Sequence, residues 1–578
     1  MASTRRINKQ KRRRASPVAT IFLALLLCAL GWLVLTRVAR PEAGAEAPDH
    51  TLLAATPTPT PKTTATPEPA PTPTPEPTPT PMPGFEPVAG PDAQPDAFIA
   101  GTDVMVNGTI VDSYEAEETI DFGYGEDYTA LPGVITFRGN NFRDGGSYGV
   151  ANLTSKTFGE RWNVGTGSIG AWSGSGWTGQ PLIVKWPRET KRNMNLHDWA
   201  KEDDELVEVI YACMDGYVYF LELNSGRQTR DRLYLGFTFK GSGALDPRGY
   251  PILYVGAGIN GTSSAHVFVV SLLDCKILYE FGGNDGFAHR AWHMYDSSPL
   301  VDAETDTLIY PGENGVIYLV KLHSDYDAAT GTISVDPEVT KWRYTSKRSM
   351  WLGFEDSAVC WRGRLIIADN GGNLMCLNLS TLTLDWVQDV LDDTNSTPVL
   401  ELEDGHPYVY ISTSFHYGWR SYSTAEIPIW KIDALTGGVV WSTPYICRTE
   451  HEVSGGVQGS IALGKQNLSD LIFVPVARTP GGSDGILAAL DKATGAVVWE
   501  HPTVMYSWSS PVIVYDGNGD GYIIYTTTGG TMYLLDGRSG KQLDAVSMGG
   551  NMEASPAAYG STVVIGTRSQ QIWGVKLQ

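Results

Sequence analysis

The chain has 578 residues, of which 19% are charged, and its formal net charge is −21. A protein this acidic lacks the basic face that contacts with nucleic-acid phosphates require, so the composition excludes nucleic acid as a partner. The length allows several regions, and the local composition changes near residues 16, 36, 96 and 130.

The first 40 residues have the pattern of a membrane anchor. They contain nine Lys or Arg and no Asp or Glu, and residues 17–36 are almost continuously apolar. About 20 apolar residues are enough to span a bilayer, and basic residues ahead of them favour a cytoplasmic N-terminus. The sequence therefore predicts a basic cytoplasmic tail over residues 1–16 and a transmembrane signal-anchor over residues 17–36. Small residues at 43–47 leave a cleaved signal peptide as the alternative.

Residues 37–96 are predicted to form a disordered stalk. Between residues 56 and 83 the chain consists almost entirely of Thr, Pro, Ala and Glu. Such a segment has no apolar face to bury and favours extended polyproline geometry. It would hold a folded domain away from the membrane. Residues 97–130 are acidic and are predicted to lie as a strap against that domain.

After residue 165 the chain repeats one pattern eight times. A polar turn leads into Pro or a small apolar residue, and strand-like runs follow that end at Gly, Asp or Asn. Successive copies start between 40 and 70 residues apart, and four short strands in about 40 to 50 residues are typical of propeller blades. The aligned first-strand starts are Pro181, Pro251, Pro299, Ala358, Pro398, Ile461, Pro511 and Pro556.

The repeat predicts an all-β, eight-bladed β-propeller over residues 131–578. Each blade exposes two apolar faces that only neighbouring blades can bury. The last copy holds three strands before Gln578, and a blade with a bare edge favours aggregation. We therefore predict that residues 153–165 supply the missing strand and close the ring.

The turn that precedes each innermost strand is expected to open on the central channel. The residues three positions before the first-strand starts are mostly polar, which predicts a ligand-binding funnel. Hydrogen-bonded turns also require polar residues, so turn formation is the alternative. The predicted funnel consists of Thr178, Arg248, Asp296, Glu355, Asn395, Gln458, Trp508 and Glu553.

Loops between second and third strands are expected on the same face. They carry polar residues at 313–314, 369–370, 478 and 568, and the longest loop spans residues 414–428. Aromatic residues beside arginine on an exposed loop are typical of surfaces that recognise protein or sugar. A loop that packs its own rings is the alternative. The predicted partner-binding residues are His416, Tyr417, Trp419, Arg420 and Tyr422.

One turn has the spacing of a calcium loop. Asp516, Asn518 and Asp520 alternate ahead of a glycine, but Thr527 stands where an EF-hand has its bidentate Glu. The sequence predicts either a structural calcium site or a tight Asp/Gly-rich hairpin. Five cysteines follow the anchor, and their odd number and wide spacing favour free thiols.

Residues 134–146 (VITFRGNNFRDGG), the Ser-Pro strand starts and residues 487–500 (LAALDKATGAVVWE) resemble pyrroloquinoline-quinone-type (PQQ-like) repeat propellers. More narrowly, they resemble the membrane-anchored branch found in Gram-positive bacteria. The resemblance implies a fold shared by quinone-dependent alcohol dehydrogenases, outer-membrane assembly lipoproteins and proteins without a cofactor. Dehydrogenases of this type use a pair of adjacent cysteines above the quinone, and this chain has no such pair. The resemblance therefore implies the fold without implying PQQ.

These patterns predict a single-pass protein of the cell membrane, with its N-terminus in the cytoplasm and its propeller outside the cell. The favoured function is a ligand-binding or protein-scaffolding module whose partner is a cell-wall polysaccharide or a surface protein. No cofactor is predicted beyond the structural calcium. The alternative is an enzyme that uses the funnel, either a quinone-dependent dehydrogenase or a carbohydrate-active hydrolase with carboxyl groups from Asp296, Glu355 and Glu553.

Overall fold

The computed structural model describes residues 85–258, 265–416, 422–449 and 454–578. The predicted cytoplasmic tail, the signal-anchor and most of the stalk lie outside these residues. In the part of the chain that is described, no helix is both long and apolar enough to cross a membrane.

The described residues form 42 strands and very little helix. Strands that precede the first complete blade are β1 (Ile99–Val106), β2 (Thr109–Val111), β3 (Gly133–Val134), β4 (Ser147–Tyr148), β5 (Phe158–Gly165), β6 (Ser168–Ile169) and β7 (Trp172–Ser173). The next strands are β8 (Leu182–Val184), β9 (Glu208–Ala212), β10 (Tyr217–Glu222), β11 (Leu233–Tyr234), β12 (Ala244–Leu245), β13 (Ile252–Gly256), β14 (Val267–Ser271), β15 (Ile277–Phe281), β16 (Leu300–Asp302), β17 (Thr307–Pro311), β18 (Val316–Lys321), β19 (Asp325–Asp327), β20 (Thr332–Ser334) and β21 (Glu338–Ser346).

The second half of the chain continues the same pattern. Its strands are β22 (Val359–Trp361), β23 (Arg364–Ala368), β24 (Asn373–Asn378), β25 (Leu384–Asp389), β26 (Val399–Glu403), β27 (His406–Ser412), β28 (Ser414–Phe415), β29 (Thr424–Asp433), β30 (Val439–Arg448), β31 (Gly455–Gly456), β32 (Ala462–Leu463), β33 (Leu471–Ala477), β34 (Gly485–Asp491), β35 (Val497–Thr503), β36 (Val512–Tyr515), β37 (Gly521–Thr526), β38 (Thr531–Asp536), β39 (Gln542–Ser547), β40 (Ala557–Tyr559), β41 (Thr562–Thr567) and β42 (Gln571–Leu577). The short helices are α1 (Pro95–Phe98), α2 (Arg188–Asn193) and α3 (Asp198–Glu202), with 3₁₀ turns at Gly125–Asp127 and Gln466–Leu468.

Eight antiparallel sheets confirm the predicted all-β, eight-bladed propeller. In order from the inner to the outer strand, the blades are β8-β9-β10-β11, β12-β13-β14-β15, β16-β17-β18-β21, β22-β23-β24-β25, β26-β27-β29-β30, β32-β33-β34-β35, β36-β37-β38-β39 and β40-β41-β42-β5. We number them blades 1 to 8. The second and third strands of the blades are buried along almost their whole length, because neighbouring blades cover both of their faces.

Two segments from the N-terminal side of the propeller lie along outer blade edges. Strand β5 pairs antiparallel with β42 and is the outermost strand of blade 8. Strand β1, from the predicted acidic strap, pairs antiparallel with β21 on the outer edge of blade 3. Both pairings cover backbone donors and acceptors that an open edge would present to other chains.

Tryptophans on outer strands fasten neighbouring blades together. Each of four indole rings lies against a turn glycine of the next blade and donates its Nε1–H to a backbone carbonyl in the same turn. The glycines have φ between 68° and 73°, a conformation that disfavours residues with a side chain. The donor and acceptor pairs are Trp162 with Leu223, Trp386 with Ala434, Trp441 with Lys492 and Trp499 with Gly537.

A ring of hydroxyl groups joins the blades around the axis. In six of the eight blades, the residue two positions before the inner strand uses its backbone N–H to bond the side-chain oxygen of its counterpart in the next blade. Ser298 donates to Ser357 at 2.8 Å, and Ser460 donates to Ser510 at 2.9 Å. The other bonds of this kind run from Gln180 to Ser242, from Ser357 to Thr397, from Thr397 to Ser460 and from Ser510 to Ser555. The Ser and Thr of the repeat therefore hold the ring together.

Residues 134–151, which we call the plug, fill the channel beside the inner strands. Their backbone or side chains bond to all eight blades. The contacts are β3 with β8, Ile135 with Leu245, Arg143 with Ser298 and Ala358, Phe142 with Leu400, Arg138 with Ile461 and Pro511, and Gly146 with Ala558. The RGNNFR motif is thus a central structural element.

The cysteines agree with the prediction of free thiols. Cys213, Cys275, Cys360, Cys376 and Cys447 form no disulfide among the described residues. Four of them are buried and Cys275 is half-buried. Burial raises the pKa of the Cys213, Cys360, Cys376 and Cys447 thiols, so they are held in their neutral form.

Candidate ligand-binding funnel

The hydroxyl ring fixes the register of the predicted funnel and corrects it in blade 2. Ser242 occupies the ring position there, so the inner strand begins after Gly243 rather than at Pro251, which precedes the second strand. The residue three positions before that start is Lys240. Arg248 lies outside the funnel, in the turn between β12 and β13. The sequence alignment slipped by one strand because glycine replaces proline at the true strand start.

Arg248 has a structural environment of its own. Its guanidinium Nε bonds Asp246 Oδ1 at 2.9 Å, and Nη2 lies 2.6 Å from Asp306 Oδ1. Its guanidinium group also lies 4.4 Å from the centre of the Tyr250 ring. These contacts fasten the β12–β13 turn to blade 3.

Four acidic residues from blades 3, 4 and 5 meet at the funnel and form what we call the carboxyl cluster: Asp296, Glu313, Glu355 and Asp393. Asn370 bridges two of them, since its Nδ2 donates to Glu355 Oε1 at 3.2 Å and to Asp393 Oδ1 at 2.8 Å. A side-chain hydrogen bond joins Glu313 to Glu355. The cluster is therefore continuous across three blades.

Two cations border the carboxyl cluster. Lys240 of blade 2 forms an ion pair with Asp296. Arg290 lies with Nη2 3.7 Å from Glu313 Oε1, and its Nη1 donates to the carbonyl of Leu352 at 2.9 Å. Four carboxyl groups thus face two fixed positive charges.

The members of the cluster differ in their affinity for a proton. Burial raises the pKa of Glu313 well above its usual value, and the charge of Glu355 raises it further. Burial also raises the pKa of Glu355, but the hydrogen bond from Glu313 and the charges of Lys240 and Arg290 outweigh it, so that pKa is lowered. Burial raises the pKa of Asp393 and of Asp296 as well, although Lys240 opposes the rise at Asp296. The hydrogen bond between them therefore favours the neutral form of Glu313 and the ionised form of Glu355.

An aromatic group, the indole platform, lies beside the cluster and consists of Trp172, Trp177, Tyr506 and Trp508. Trp177 of blade 1 lies 5.6 Å from Trp508 of blade 7 and 6.2 Å from Trp172, measured between ring centres. Blades 1 and 7 are not neighbours, so this contact places the rings near the axis. Lys240 Nζ lies 5.5 Å from the Trp172 ring and 5.3 Å from the Trp177 ring, and it links the platform to the cluster.

The remaining part of the funnel is cationic. Arg568 Nη1 bonds Glu553 Oε2 at 3.1 Å and its guanidinium lies 5.9 Å from the Trp172 ring. Arg478 lies 5.4 Å from the Tyr506 ring. Burial raises the pKa of Glu553, and the charge of Arg568 opposes this rise.

The structure also places the other predicted funnel residues at their strand starts. Thr178 is half-buried, and its carbonyl accepts a hydrogen bond from the Ser555 hydroxyl at 2.7 Å. Asn395 is half-buried and Gln458 is buried, in blades 5 and 6. Seven of the eight predicted residues thus belong to the funnel positions, with Lys240 in place of Arg248.

The predicted partner-binding loop is described only at its two ends. His416 donates its backbone N–H to Asp392 Oδ2 at 3.2 Å, which places it beside Asp393 of the carboxyl cluster. Tyr422 has 70% of its surface exposed. Tyr417, Trp419 and Arg420 lie outside the described residues.

The predicted calcium loop forms the hairpin turn between β36 and β37. Asp516 Oδ1 accepts backbone N–H bonds from Asn518 at 2.8 Å and from Asp520 at 3.1 Å. Asp520 Oδ1 accepts a bond from Asn467 Nδ2 at 3.0 Å. Across the described ranges, no three His, Cys, Asp or Glu side chains converge as metal ligands do.

Sequence reasoning missed several funnel residues. Lys240 was hidden by the slipped alignment, and Asp393 precedes the strand start by more residues than the chosen column. Trp172 and Trp177 lie in a loop outside the repeat, although two tryptophans in a Gly/Ser-rich stretch directly before blade 1 were a readable signal.

Known proteins match the last part of the repeat region. The family model described as outer membrane protein assembly factor BamB matches residues 483–577, which hold the last strands of blade 6 and all the following copies. The chain is also 29% identical over 102 residues to the beta-alanine-activating enzyme of Danio rerio, a match that covers 17% of this chain and 9% of that enzyme. The chain thus spans only a small part of that relative's length.

One solved structure shares the fold with a TM-score above 0.5, and a second is less similar. The quinohemoprotein alcohol dehydrogenase of Comamonas testosteroni superposes with a TM-score of 0.51 and 11% identity, covering 79% of this chain and 83% of that one. BamB of Moraxella catarrhalis gives a TM-score of 0.42 and 15% identity, covering 64% of this chain and 92% of that one. At these identities the likeness concerns the fold alone.

The class of protein follows from these observations. The protein is an eight-bladed β-propeller, and residues 483–577 of its last blades match the BamB family model.

Proposed function

We propose that this protein is a membrane-anchored cell-surface module whose funnel binds a small ligand or a short part of a larger one. One observation carries the proposal: buried polar atoms in the funnel have no hydrogen-bond partner among the described residues. They include Asn395 Nδ2 and Trp508 Nε1. A buried polar atom without a partner costs about 1 to 3 kcal/mol, and a ligand or bound water that supplies the partner recovers that cost.

The composition of the funnel supports a ligand rather than turn formation alone. Three tryptophans supply flat apolar surface, and carboxyl, amide and guanidinium groups surround them. Sites for small molecules commonly combine aromatic walls with a few convergent polar groups. A cell-wall polysaccharide or a peptide of a surface protein would match this combination.

The location at the cell surface rests on the sequence. Basic residues, an apolar run of the length of a bilayer and a Pro/Thr-rich stretch follow one another ahead of the propeller. This order would place the funnel outside the cell at the end of a stalk. Protease is added to intact and to lysed cells, and cleavage of the propeller in intact cells tests that placement.

Ligand capture tests the binding function. Purified full-length protein is incubated with solubilised cell-wall polysaccharide and with a peptide digest of surface proteins, and bound material is identified by mass spectrometry. We expect the unmodified protein to retain a ligand that the double variant Trp177→Ala/Trp508→Ala loses. The control Tyr148→Ala removes an aromatic residue of the plug, and it should bind as well as the unmodified protein. Equal capture by all three proteins would refute the funnel as the binding site.

A hydrolase is the second candidate function, and one observation favours it. The pKa of Glu313 is raised and that of the neighbouring Glu355 is lowered, and two carboxyl groups with pKa values moved apart are the arrangement that general acid–base catalysis uses. Glu553, held by Arg568, does not join this pair. A hydrolase would release soluble sugar from wall polysaccharide. Loss of this release in both Glu313→Gln and Glu355→Gln would support the hydrolase over the binding module.

A further inference from the structure

The loop between blades 3 and 4 exposes two large apolar side chains beside the funnel. Residues 347–358 connect β21 to β22 and include Glu355 of the funnel. In this loop Met350 has 92% of its surface exposed and Trp351 has 47%. Trp292, in the loop that leads into blade 3, is 42% exposed. Large apolar side chains that face water together commonly mark a surface that contacts a ligand or a partner.

Hydrogen bonds hold this exposed loop in place. The hydroxyl oxygen of Ser349 accepts the backbone N–H of Trp351 at 3.0 Å. The next carbonyl group, that of Leu352, accepts a bond from Arg290 Nη1 at 2.9 Å. The indole and the thioether are therefore presented in defined positions, which reduces the conformational entropy that ligand binding would lose.

The exposed side chains border a cavity of about 310 Å³, which we call the rim cleft. Gly371, from the turn between β23 and β24, lies against the loop, because a Cβ there would be 3.2 Å from the Cβ of Ser349. The volume is near the lower end of the range for small-molecule sites, about 300 to 1,000 Å³. The cleft therefore accommodates one ring or one side chain. Its lining consists of Arg348, Ser349, Met350, Trp351 and Gly371.

The charge in the rim cleft is already balanced by the protein. Arg348 is the charged member of the lining, and its Nη1 lies 2.7 Å from Asp389 Oδ1. An anionic ligand would compete with Asp389 for this guanidinium, and a cationic ligand would be repelled by it. The cleft therefore favours a ligand without net charge.

The lining of the rim cleft is divided into an apolar and a polar part. Trp351 and Met350 supply the indole face and the thioether, and Ser349 and Arg348 supply hydroxyl and guanidinium groups. A sugar ring has the same division, with C–H groups on its faces and hydroxyl groups around its edge. An apolar peptide side chain would cover the polar groups without offering them hydrogen bonds, which costs free energy.

A second indole extends this surface beyond the rim cleft. The guanidinium carbon of Arg290 lies 5.5 Å from the centre of the Trp292 ring and 5.8 Å from the centre of the Trp351 ring. Arg290 thus links the two exposed indoles. Two neighbouring aromatic surfaces match a chain of sugar units better than a single free sugar.

We propose that the rim cleft binds a neutral sugar unit of a polysaccharide. The ring of that unit lies on Trp351, and its hydroxyl groups bond Ser349 and Arg348. Trp292 contacts a neighbouring unit of the same polysaccharide. The rim cleft lies outside the funnel, and its binding does not require a ligand in the funnel.

Isothermal titration calorimetry on the full-length protein tests the proposal. The probes are cellotetraose, chitotetraose and mannotetraose, which are neutral and differ in linkage and substituents. We expect at least one of them to bind with a Kd below about 1 mM. Its affinity should be the same at low and at high salt, because a neutral ligand gains nothing from unscreened charges. Failure of all three to bind would overturn the proposal.

Three variants locate the binding site. Trp351→Ala should weaken binding of the tetrasaccharide by about tenfold, and Met350→Ala by about threefold. Tyr234→Ala removes a similarly exposed aromatic side chain from the outer strand of blade 1, and it should change nothing. Circular dichroism and the melting temperature verify folding. Met350 is almost fully exposed, so its variant still tests the proposal if Trp351→Ala does not fold.

The funnel variant Trp177→Ala/Trp508→Ala separates the rim cleft from the function proposed above. It should bind the tetrasaccharide as the unmodified protein does. Binding that is lost in this variant and kept in Trp351→Ala would overturn the rim cleft and support the funnel. A strong loss of affinity at high salt would contradict a neutral ligand. A leucine-rich peptide that binds through Trp351, while no tetrasaccharide binds, would replace the sugar by an apolar side chain.

Discussion

Arg143 in the plug and Glu313 in the funnel are both almost completely buried in the same channel, yet their surroundings differ. Every nitrogen of Arg143 donates to an oxygen of the protein: Nε to Ala358, Nη1 to Thr136 and Phe137, and Nη2 to Ser298. Glu313 instead faces the carboxyl group of Glu355, and the nearest cation lies 3.7 Å away, from Arg290 Nη2 to Glu313 Oε1. The guanidinium group of Arg143 is thus surrounded by acceptors, whereas the carboxyl group of Glu313 faces another acid.

The difference separates structural from functional use of buried charge. Burial lowers the pKa of both plug arginines, Arg138 and Arg143, to about 10, so they remain charged at neutral pH. Their guanidinium groups donate to backbone carbonyls from several blades. At the funnel the same channel concentrates acids, indoles and unpartnered atoms. The two plug arginines are hydrogen-bonded to several blades and hold the ring, whereas Asn395 Nδ2 and Trp508 Nε1 in the funnel have no partner in the described residues.

The largest effect is expected from Arg143→Met, which keeps much of the side-chain volume and removes the guanidinium. Four oxygen acceptors lose their donors, so we expect a loss of about 5 kcal/mol in the free energy of unfolding, at 1 to 3 kcal/mol for each unsatisfied group. Denaturant titration followed by fluorescence measures it. The exposed Arg538, which pairs with Asp470 at the surface, is the control, and Arg538→Met should cost less than about 1 kcal/mol. A mild effect of Arg143→Met would contradict the structural role of the plug.

Ser460→Ala should have the next largest effect. Its hydroxyl accepts the backbone N–H of Thr397 at 3.1 Å, and the alanine leaves that buried donor without a partner. We expect a loss of about 1 to 2 kcal/mol in the free energy of unfolding. Ser483→Ala, at an exposed position of the same blade, should be neutral within about 0.5 kcal/mol. Equal costs for both substitutions would mean that the hydroxyl ring adds no stability.

A matched pair of tryptophan variants sharpens the comparison further. Trp499 Nε1 donates to the carbonyl of Gly537 at 3.2 Å, whereas Trp508 Nε1 has no partner in the described residues. Trp499→Phe and Trp508→Phe remove the same atoms, so their difference isolates the hydrogen bond. We expect Trp499→Phe to cost about 1 kcal/mol more in the free energy of unfolding. If Trp508→Phe costs as much or more, the indole N–H of the funnel has a structural partner.

The smallest expected change is a gain in stability, and its size depends on pH. Because the folded pKa of Glu313 is raised above its ordinary value of 4.5, its contribution to stability is complete below 4.5 and is lost as pH rises toward the folded pKa. The contribution of Glu355, whose pKa is lowered, changes only below that window. Glu313→Gln should therefore match the unmodified protein near pH 4.5 and become more stable than it at higher pH. Melting temperatures from pH 4.5 to pH 8 measure the difference, and a variant that is less stable across this range would contradict the assignment.

The sequence predicted the blades well, because the strand pattern recurs in every copy and seven of the eight copies place Ser or Thr before the inner strand. It also predicted that Asp296 and Glu355 share a channel, since both precede inner strands at the same spacing. Lys240 escaped the pattern because Gly243 replaces the marker proline. Trp177 and the plug escaped it because both lie outside the repeat, and their positions depend on contacts with blades that are distant in sequence. The two buried arginines of the plug were read as part of a family signature, and only the geometry shows what they hold.

The pairing of Phe158 with Leu577 has a consequence for the order of folding. The outer strand of blade 8 is synthesised before any complete blade, and its partner β42 is among the last segments to appear. Strand β5 must therefore remain unpaired while the blades between them are made. Contacts so distant in sequence slow folding and leave a β-edge open during synthesis. A chaperone that shields this strand during synthesis would therefore act from the first blade until β42 is made.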